Sequence, residues 1–188
     1  LFLPSKRLRM NITNIDDIRK LASGDEGGRT EYKLITGQLE RGMETLCAFL
    51  NGEGGTVLFG VADNGKITGQ EVSDKTKREI AEAIRLFEPF ATITVSYANI
   101  PDTDKQVIAL YAEEQRYMRP FTYKGRAYQR IESVTSVMPQ DKYNHLLMQR
   151  GGKYSWEAIP NPDLQISDLD ENVIIGAVRA GINCGRLP

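Results

Sequence analysis

The chain has one histidine, one tryptophan and two cysteines among 188 residues, and each scarcity removes a class of chemistry. A lone His145 leaves a histidine-based zinc site or a Ser-His-Asp triad without its parts. Placed just before Leu146-Leu147 in a helical stretch, it reads as a partly buried structural histidine. Cys47 and Cys184 are too few for a disulfide framework, and Cys47 falls inside an apolar helical stripe, so a reduced, intracellular, cytoplasmic protein is expected. No apolar run approaches the roughly 20 residues that span a bilayer, and no signal-peptide pattern opens the chain; no membrane partner is expected. Charge of one sign is missing too. Twenty-four Lys and Arg against 25 Asp and Glu give a formal net charge of −1 and a pI near 6.0. That excludes a surface basic all round but leaves room for a local basic patch. No G-x-x-x-x-G-K-[ST] occurs, and Val57 stands where the last glycine of a G-x-G-x-x-G would be, so an ATPase reading of this segment fails.

What is present is organised around residues 46–69, LCAFLNGEGGTVLFGVADNGKITG. Asn51 and Gly52 read as a helix C-cap, because both tolerate the left-handed conformation that ends helices. Glu53-Gly54-Gly55 lets the backbone pass close to another strand or to a ligand. Thr56–Val61 is an apolar, partly β-branched run of strand length, expected to be covered on both faces. Asn64-Gly65 between Val61 and Ile67 signals a hairpin and a second short strand.

Around this spine the periodicities predict further elements. Thr13 or Asn14 caps a short helix with Ile15, Ile18 and Leu21 on one face, ended by Gly24. Residues 29–35 alternate as a strand, with Tyr32 and Leu34 on one face and Glu31 and Lys33 on the other. Leu39, Met43, Leu46, Cys47 and Leu50 mark an amphipathic helix over 38–51, and Ile80, Ala83, Ile84 and Phe87 a second over 74–87 that Pro89 closes. Residues 91–98 and 106–112 read as an antiparallel pair joined by a polar turn, 127–131 as a shorter strand, 140–149 as a helix and 173–178 as a last helix stopped by Gly181. The expected fold class is α+β, a mixed or antiparallel sheet packed against two to four helices, with Leu46, Leu50, Leu58, Ile80, Ile84 and Ile108 buried. Met10 reads as a natural start. The expected division is therefore an extension over 1–9, a domain over 10–150, and an arm and helix over 151–188 leading to a further region.

Two constellations carry chemistry. Glu26, Glu31 and Asp63 are hard oxygen ligands of the kind that hold Mg²⁺ or Mn²⁺ beside a scissile phosphate. Such a site requires the 31–33 strand to run beside Val57–Val61, with the Asp63 turn next to the Glu26 loop. Bland accounts stand beside this one: Glu31-Tyr32-Lys33 is an ordinary strand-face pair, and Asp63 before Asn-Gly is ordinary turn chemistry. The second constellation is Arg116, Arg119, Lys124, Arg126 and Arg130, five cations with no carboxylate between Gln115 and Ile131, interleaved with Tyr117, Phe121, Tyr123 and Tyr128. Cations neutralise phosphates and aromatic faces stack on unpaired bases.

The pieces combine into one pattern. E-x-x-x-x-E-Y-K at Glu26–Lys33 precedes a helix ending Ala48-Phe49-Leu50-Asn51. Gly54-Gly55-Thr56-Val57-Leu58-Phe59-Gly60-Val61 follows, then D-x-G-x-I-x-G from Asp63 to Gly69, and finally R-P and Y-x-R at Arg119, Pro120, Tyr128 and Arg130. Over about Ile15 to Arg150 this resembles the Schlafen/Alba-like DNA-binding domain found at the front of many bacterial transcriptional regulators and divergent helicase-related ATPases. The resemblance implies a nucleic-acid-binding α+β domain of a transcriptional regulator, with DNA as partner, no cofactor for binding, and Lys33, Arg116, Arg119, Lys124, Arg126, Tyr128 and Arg130 as contacts. In eukaryotic Schlafens a related core cleaves RNA with three acidic residues, and Glu26, Glu31 and Asp63 match those positions. This chain departs in reading Gly24-Asp25-Glu26-Gly27 where the family often has Gly-Glu-Ser, so Asp25 competes with Glu26. The favoured reading is a binding module. A metal-dependent nuclease, or a protein-interaction or homo-oligomerising module whose basic hairpin meets an acidic partner, are the alternatives.

Overall fold

The structure is a computed structural model and describes residues 12, 14–23, 28–153, 168 and 170–185. The chain divides into two compact units, Leu1–Gly152 and Lys153–Pro188. The first is α+β. In chain order the described elements are helix α1 (Ile15–Ala22), strand β1 (Thr30–Lys33), helix α2 (Leu39–Asn51), β2 (Gly55–Phe59), α3 (Asp74–Ile84), β3 (Phe87–Glu88), β4 (Ile93–Asn99), β5 (Gln106–Ala112), β6 (Thr122–Tyr123), β7 (Tyr128–Ile131), β8 (Val134–Val137) and α4 (Gln140–Lys153). Four strands form a mixed sheet in the order β1-β2-β5-β4. β1 runs parallel to β2, with Glu31 beside Val57 and Lys33 beside Phe59, while β2–β5 and β5–β4 are antiparallel. The β1–α2–β2 crossover supplies the parallel pair, as parallel neighbours require.

The unbroken apolar run of β2 follows from burial on both faces. Successive side chains alternate across a sheet, so Val57 and Phe59 join Met43, Leu46, Phe49, Leu50, Ile108 and Leu110 in one core. Leu58 points the other way, into a second core with Tyr32, Ile18, Val107 and Ala109 beneath α1. Asn14 caps α1 by accepting from the Asp16 and Asp17 amides at 2.9 and 3.0 Å. Ser73 caps α3 in a capping box with Thr76. Leu46, Leu50, Leu58, Ile80 and Ile108 are fully buried; Ile84 is only half-buried.

Gly54 answers what the glycine loop approaches. It sits at φ +77°, and a Cβ there would lie 2.6 Å from the Ala112 carbonyl. The close neighbour is therefore strand β5. Asn51 is the last residue of α2, but Gly52 has φ −109°, so the left-handed residue comes two positions later than a simple C-cap predicts.

Several expectations are corrected. The Asn64-Gly65 turn forms, with Gly65 at φ +78°, but only a single bridge, Val61 to Ile67, follows it. The Thr68 and Gly69 amides turn back onto the Gly60 carbonyl at 2.9 Å each, which consumes the backbone a second strand would need. β1 ends at Lys33 because its carbonyl takes the Gly60 and Val61 amides, leaving Leu34 exposed. α3 ends at Ile84, and Phe87 reaches the core from β3, pairing with Tyr123 of β6. α4 runs on through Gly151 and Gly152 to Lys153. His145 in α4 is exposed rather than partly buried, and its ring nitrogen meets Gln149 at 2.8 Å. In the second unit, helix α5 (Glu171–Asn183) starts on an Asp170 cap and continues past Gly181. An interior glycine costs a helix only about 1 kcal/mol relative to alanine, and α5 contains two, Gly176 and Gly181. Among the described residues no helix is long and apolar enough to cross a membrane.

Candidate nucleic-acid interface

Alternation on β1 sends Tyr32 into the α1 core, where its hydroxyl donates to the Leu21 carbonyl at 3.0 Å. Glu31 and Lys33 therefore face the α2 side. There Glu31 is held from two directions. Lys33 Nζ pairs with its Oε1, and Arg130 Nη1, arriving from β7, sits 2.8 Å from Oε2. The Arg130 side chain is only 5% exposed and that of Glu31 12%. Arg130 also donates to Thr135 Oγ1 at 3.1 Å and lies 5.2 Å from the Phe49 ring centre.

This bears directly on a metal site. Glu31 does lie beside Val57, as such a site required. Asp63 is exposed on the turn beyond the opposite end of β2, and Glu26 lies outside the described residues. Among the described residues no three His, Cys, Asp or Glu side chains gather to hold a metal ion. Lys33 and Arg130 each take one oxygen of the Glu31 carboxylate, and the turn that carries Asp63 packs at Gly65 against the Ala22 carbonyl at the end of α1.

The cations of 115–131 meet carboxylates from elsewhere in the chain. Between β6 and β7, Lys124 and Gly125 take positive φ in the two-residue turn closed by the Tyr123–Arg126 bridge, the backbone such turns require. From there Lys124 Nζ reaches Glu40 Oε1 at 2.7 Å, 84 residues away. Arg116 and Arg119 both pair with Glu114. Arg119 Nε also donates to the Leu50 carbonyl at 3.1 Å, closing the end of α2; burial pulls its guanidinium pKa down, and Glu114 opposes that shift. Tyr128 donates to Glu44 Oε1 at 3.0 Å. Arg126 is exposed and, among the described residues, no carboxylate holds it; it rims a groove of about 330 Å³ with Tyr143 and Met138. Lys33, Arg119, Tyr128 and Arg130 thus act inside the fold, while Arg116, Lys124 and Arg126 present charge outward.

Sequence reasoning did not count Arg29 among the nucleic-acid contacts. It stands exposed at the start of β1, with Nη2 donating to the Glu53 carbonyl at 2.8 Å. Its backbone carbonyl takes the Thr56 amide at 2.9 Å. Arg29, Arg130, Phe49 and the Gly52–Gly54 loop line a cleft of about 270 Å³. Parallel pairing places the starts of β1 and β2 at one end of the sheet, where antiparallel β5 finishes and β4 begins. Arg29, the glycine loop, Glu114, Arg116 and Arg119 therefore share that end. Only pairing direction brings them together, so the signal in sequence is confined to an arginine directly after Gly27-Gly28.

Behind this surface lie two groups that titrate far from their ordinary values. Desolvation pushes the Cys47 thiol up to about 12. Desolvation first, then the Glu44 hydrogen bond, pushes the Tyr128 phenol to about 12 as well. Both are protonated in the fold and release protons on unfolding once the pH exceeds their ordinary values, about 9 and 10. Stability from these groups is complete below pH 9 and is lost as the pH rises toward 12. Urea midpoints should therefore fall steadily over that range, and Cys47→Ala should flatten the fall; a midpoint constant from pH 9 to 12 would contradict this. At pH 8 a thiol reagent should label exposed Cys184 and spare buried Cys47.

No curated protein matches the chain. Among solved structures, the DIP2311 protein from Corynebacterium diphtheriae is similar at 14% identity and a TM-score of 0.48, covering 93% of this chain and 40% of its own. This chain thus spans less than half of that relative. The family comparison reaches the parts assembled above, from the loop before β1 through the glycine loop to the β7–β8 hairpin. The profile described as Schlafen, AlbA_2 matches residues 26–139, well over half of the sequence, and the protein belongs to that family.

Proposed function

We propose that this chain is the DNA-binding domain of a bacterial, cytoplasmic transcriptional regulator, and that it grips the phosphate backbone without a cofactor. The observation that carries the reading is the end of the sheet in a Schlafen, AlbA_2 domain, where Arg29 stands exposed at the Gly52–Gly54 cleft and Arg116 stands exposed beyond the end of β5. Exposed guanidinium groups there can exchange their present partners for phosphate oxygens, whose fork geometry they match. Arg126 supports a second contact at the β6–β7 turn. Arg119 and Arg130 hold α2 and Glu31 and remain in that structural work.

The experiment is a salt titration of binding to labelled duplex DNA with Arg29→Glu, Arg116→Glu and Arg126→Glu combined. Affinity should drop, and the slope of log K against log salt should shrink by about 0.9 for each phosphate no longer neutralised. Thermal melting is measured alongside as the folding control, because Arg116→Glu sets a like charge beside Glu114 and Arg29→Glu removes the bond to the Glu53 carbonyl. An unchanged slope would leave the basic surface to a protein partner or a second copy. Labelled DNA and RNA should also be recovered intact in Mg²⁺ or Mn²⁺, and cutting would reopen the nuclease reading.

A further inference from the structure

The same end of the sheet carries a feature that phosphate contact does not use. Two chain segments run past each other there in opposite directions. They are tied at one point by Glu88 beside Thr122 and at another by Gln115 Nε2 donating to the Thr92 carbonyl at 3.3 Å. Phe90 lies between the ties on one segment and Tyr117 between them on the other. Phe90 is 74% exposed and Tyr117 48%, although their neighbours Ala91 and Phe121 are fully in the core. The rings are therefore held outward by an anchored backbone. Single exposed apolar side chains need no explanation. Here the two outward rings stand on segments that are tied together, and Tyr117 directly follows Arg116, which shares Glu114 with Arg119.

We propose that Phe90 and Tyr117 form a base-stacking platform that makes this domain select single-stranded nucleic acid over duplex. The proposal rests on the phosphate-binding reading above and names its substrate class. A duplex keeps its base faces inside its own stack and offers proteins only edges and backbone. An unpaired strand offers a phosphate to a guanidinium and a π-face to a ring together. Arg116 supplies the first and the two rings the second.

The test uses the whole chain and three labelled probes of equal length: an oligothymidylate of about 16 nucleotides, the same backbone with abasic sites, and a duplex. Fluorescence anisotropy is followed for the wild type, Phe90→Ala, Tyr117→Ala and the double variant. The wild type should bind the thymidylate at least about tenfold more tightly than the abasic strand or the duplex. Each ring removed should weaken thymidylate binding by roughly 5- to 100-fold and leave abasic binding unchanged. Phe90 is so exposed that Phe90→Ala should melt like the wild type. Equal wild-type affinity for thymidylate and abasic strands overturns the platform without any variant being needed. So does undiminished thymidylate binding by the double variant, or a preference for duplex, and these outcomes leave phosphate contact standing. Failure to bind all three probes ends both readings.

Discussion

Glu31→Gln should destabilise the protein by about 3 kcal/mol, measured as the change in urea unfolding free energy. Removing one partner of a buried ion pair costs about 3–5 kcal/mol, because the remaining charge has left water and lost its counterion. Here two cations are affected, Lys33 and the nearly inaccessible Arg130. The low end of the range applies because Thr135 Oγ1 still accepts from Arg130 and the Phe49 ring still lies against it. Arg130→Met removes the charge that Glu31→Gln would strand. The double variant should therefore cost less than the sum of the two single ones, by roughly 0.5–3 kcal/mol of coupling. Additive costs would show that the two side chains do not act as a pair. The result also governs any activity assay on Glu31, since a variant short of this much stability can lose function simply by unfolding.

The second large effect belongs to Asn51. Its side chain is buried at the end of α2, where Nδ2 donates to the Phe121 carbonyl at 2.8 Å and to the Tyr128 carbonyl at 3.0 Å, and Oδ1 accepts from the Phe121 amide at 2.7 Å. One amide thus joins Phe121, just before β6, and Tyr128, the first residue of β7, to the helix. If Asn51 served only to end the helix, Asn51→Gly would be nearly neutral, because glycine ends helices at least as well. With three buried hydrogen bonds removed, and each stranded group worth about 1–3 kcal/mol, Asn51→Gly should instead cost about 3 kcal/mol or more. Asn51→Asp is the sharper variant. It keeps the shape and the acceptor but turns an oxygen toward two carbonyl oxygens, so it should be at least as damaging. A destabilisation below about 1 kcal/mol in both variants would remove this role.

Much of the architecture was legible in the residues themselves. The 3.6-residue stripe of Leu39, Met43, Leu46 and Leu50 and the two-faced apolar run of β2 are local consequences of burial, and local periodicity survives whatever the rest of the chain does. The same holds for the Asn14 cap and for the β4–β5 pair. The family resemblance also rested on contiguous pieces, and the chain is a Schlafen, AlbA_2 member. Element ends were less legible, because they depend on partners. Lys33 ends β1 only because Gly60 and Val61 take its carbonyl, and Phe87 leaves α3 because Tyr123 offers it a strand.

Charge was the part that sequence could not resolve. Between Gln115 and Ile131 five cations stand without a carboxylate, yet Glu31, Glu40, Glu44 and Glu114 arrive from outside that stretch to meet its cations and Tyr128. An ion pair or hydrogen bond needs proximity in space, and chain separation does not report it. The parallel pairing of β1 with β2 likewise decided that Glu31 meets Arg130, that Asp63 lies beyond the other end of the strand, and that Arg29 joins the glycine loop. Sequence alone determined which stretches bury apolar surface, because that pattern is local. Which charges face water was decided only when strands far apart in the chain chose their neighbours and their direction.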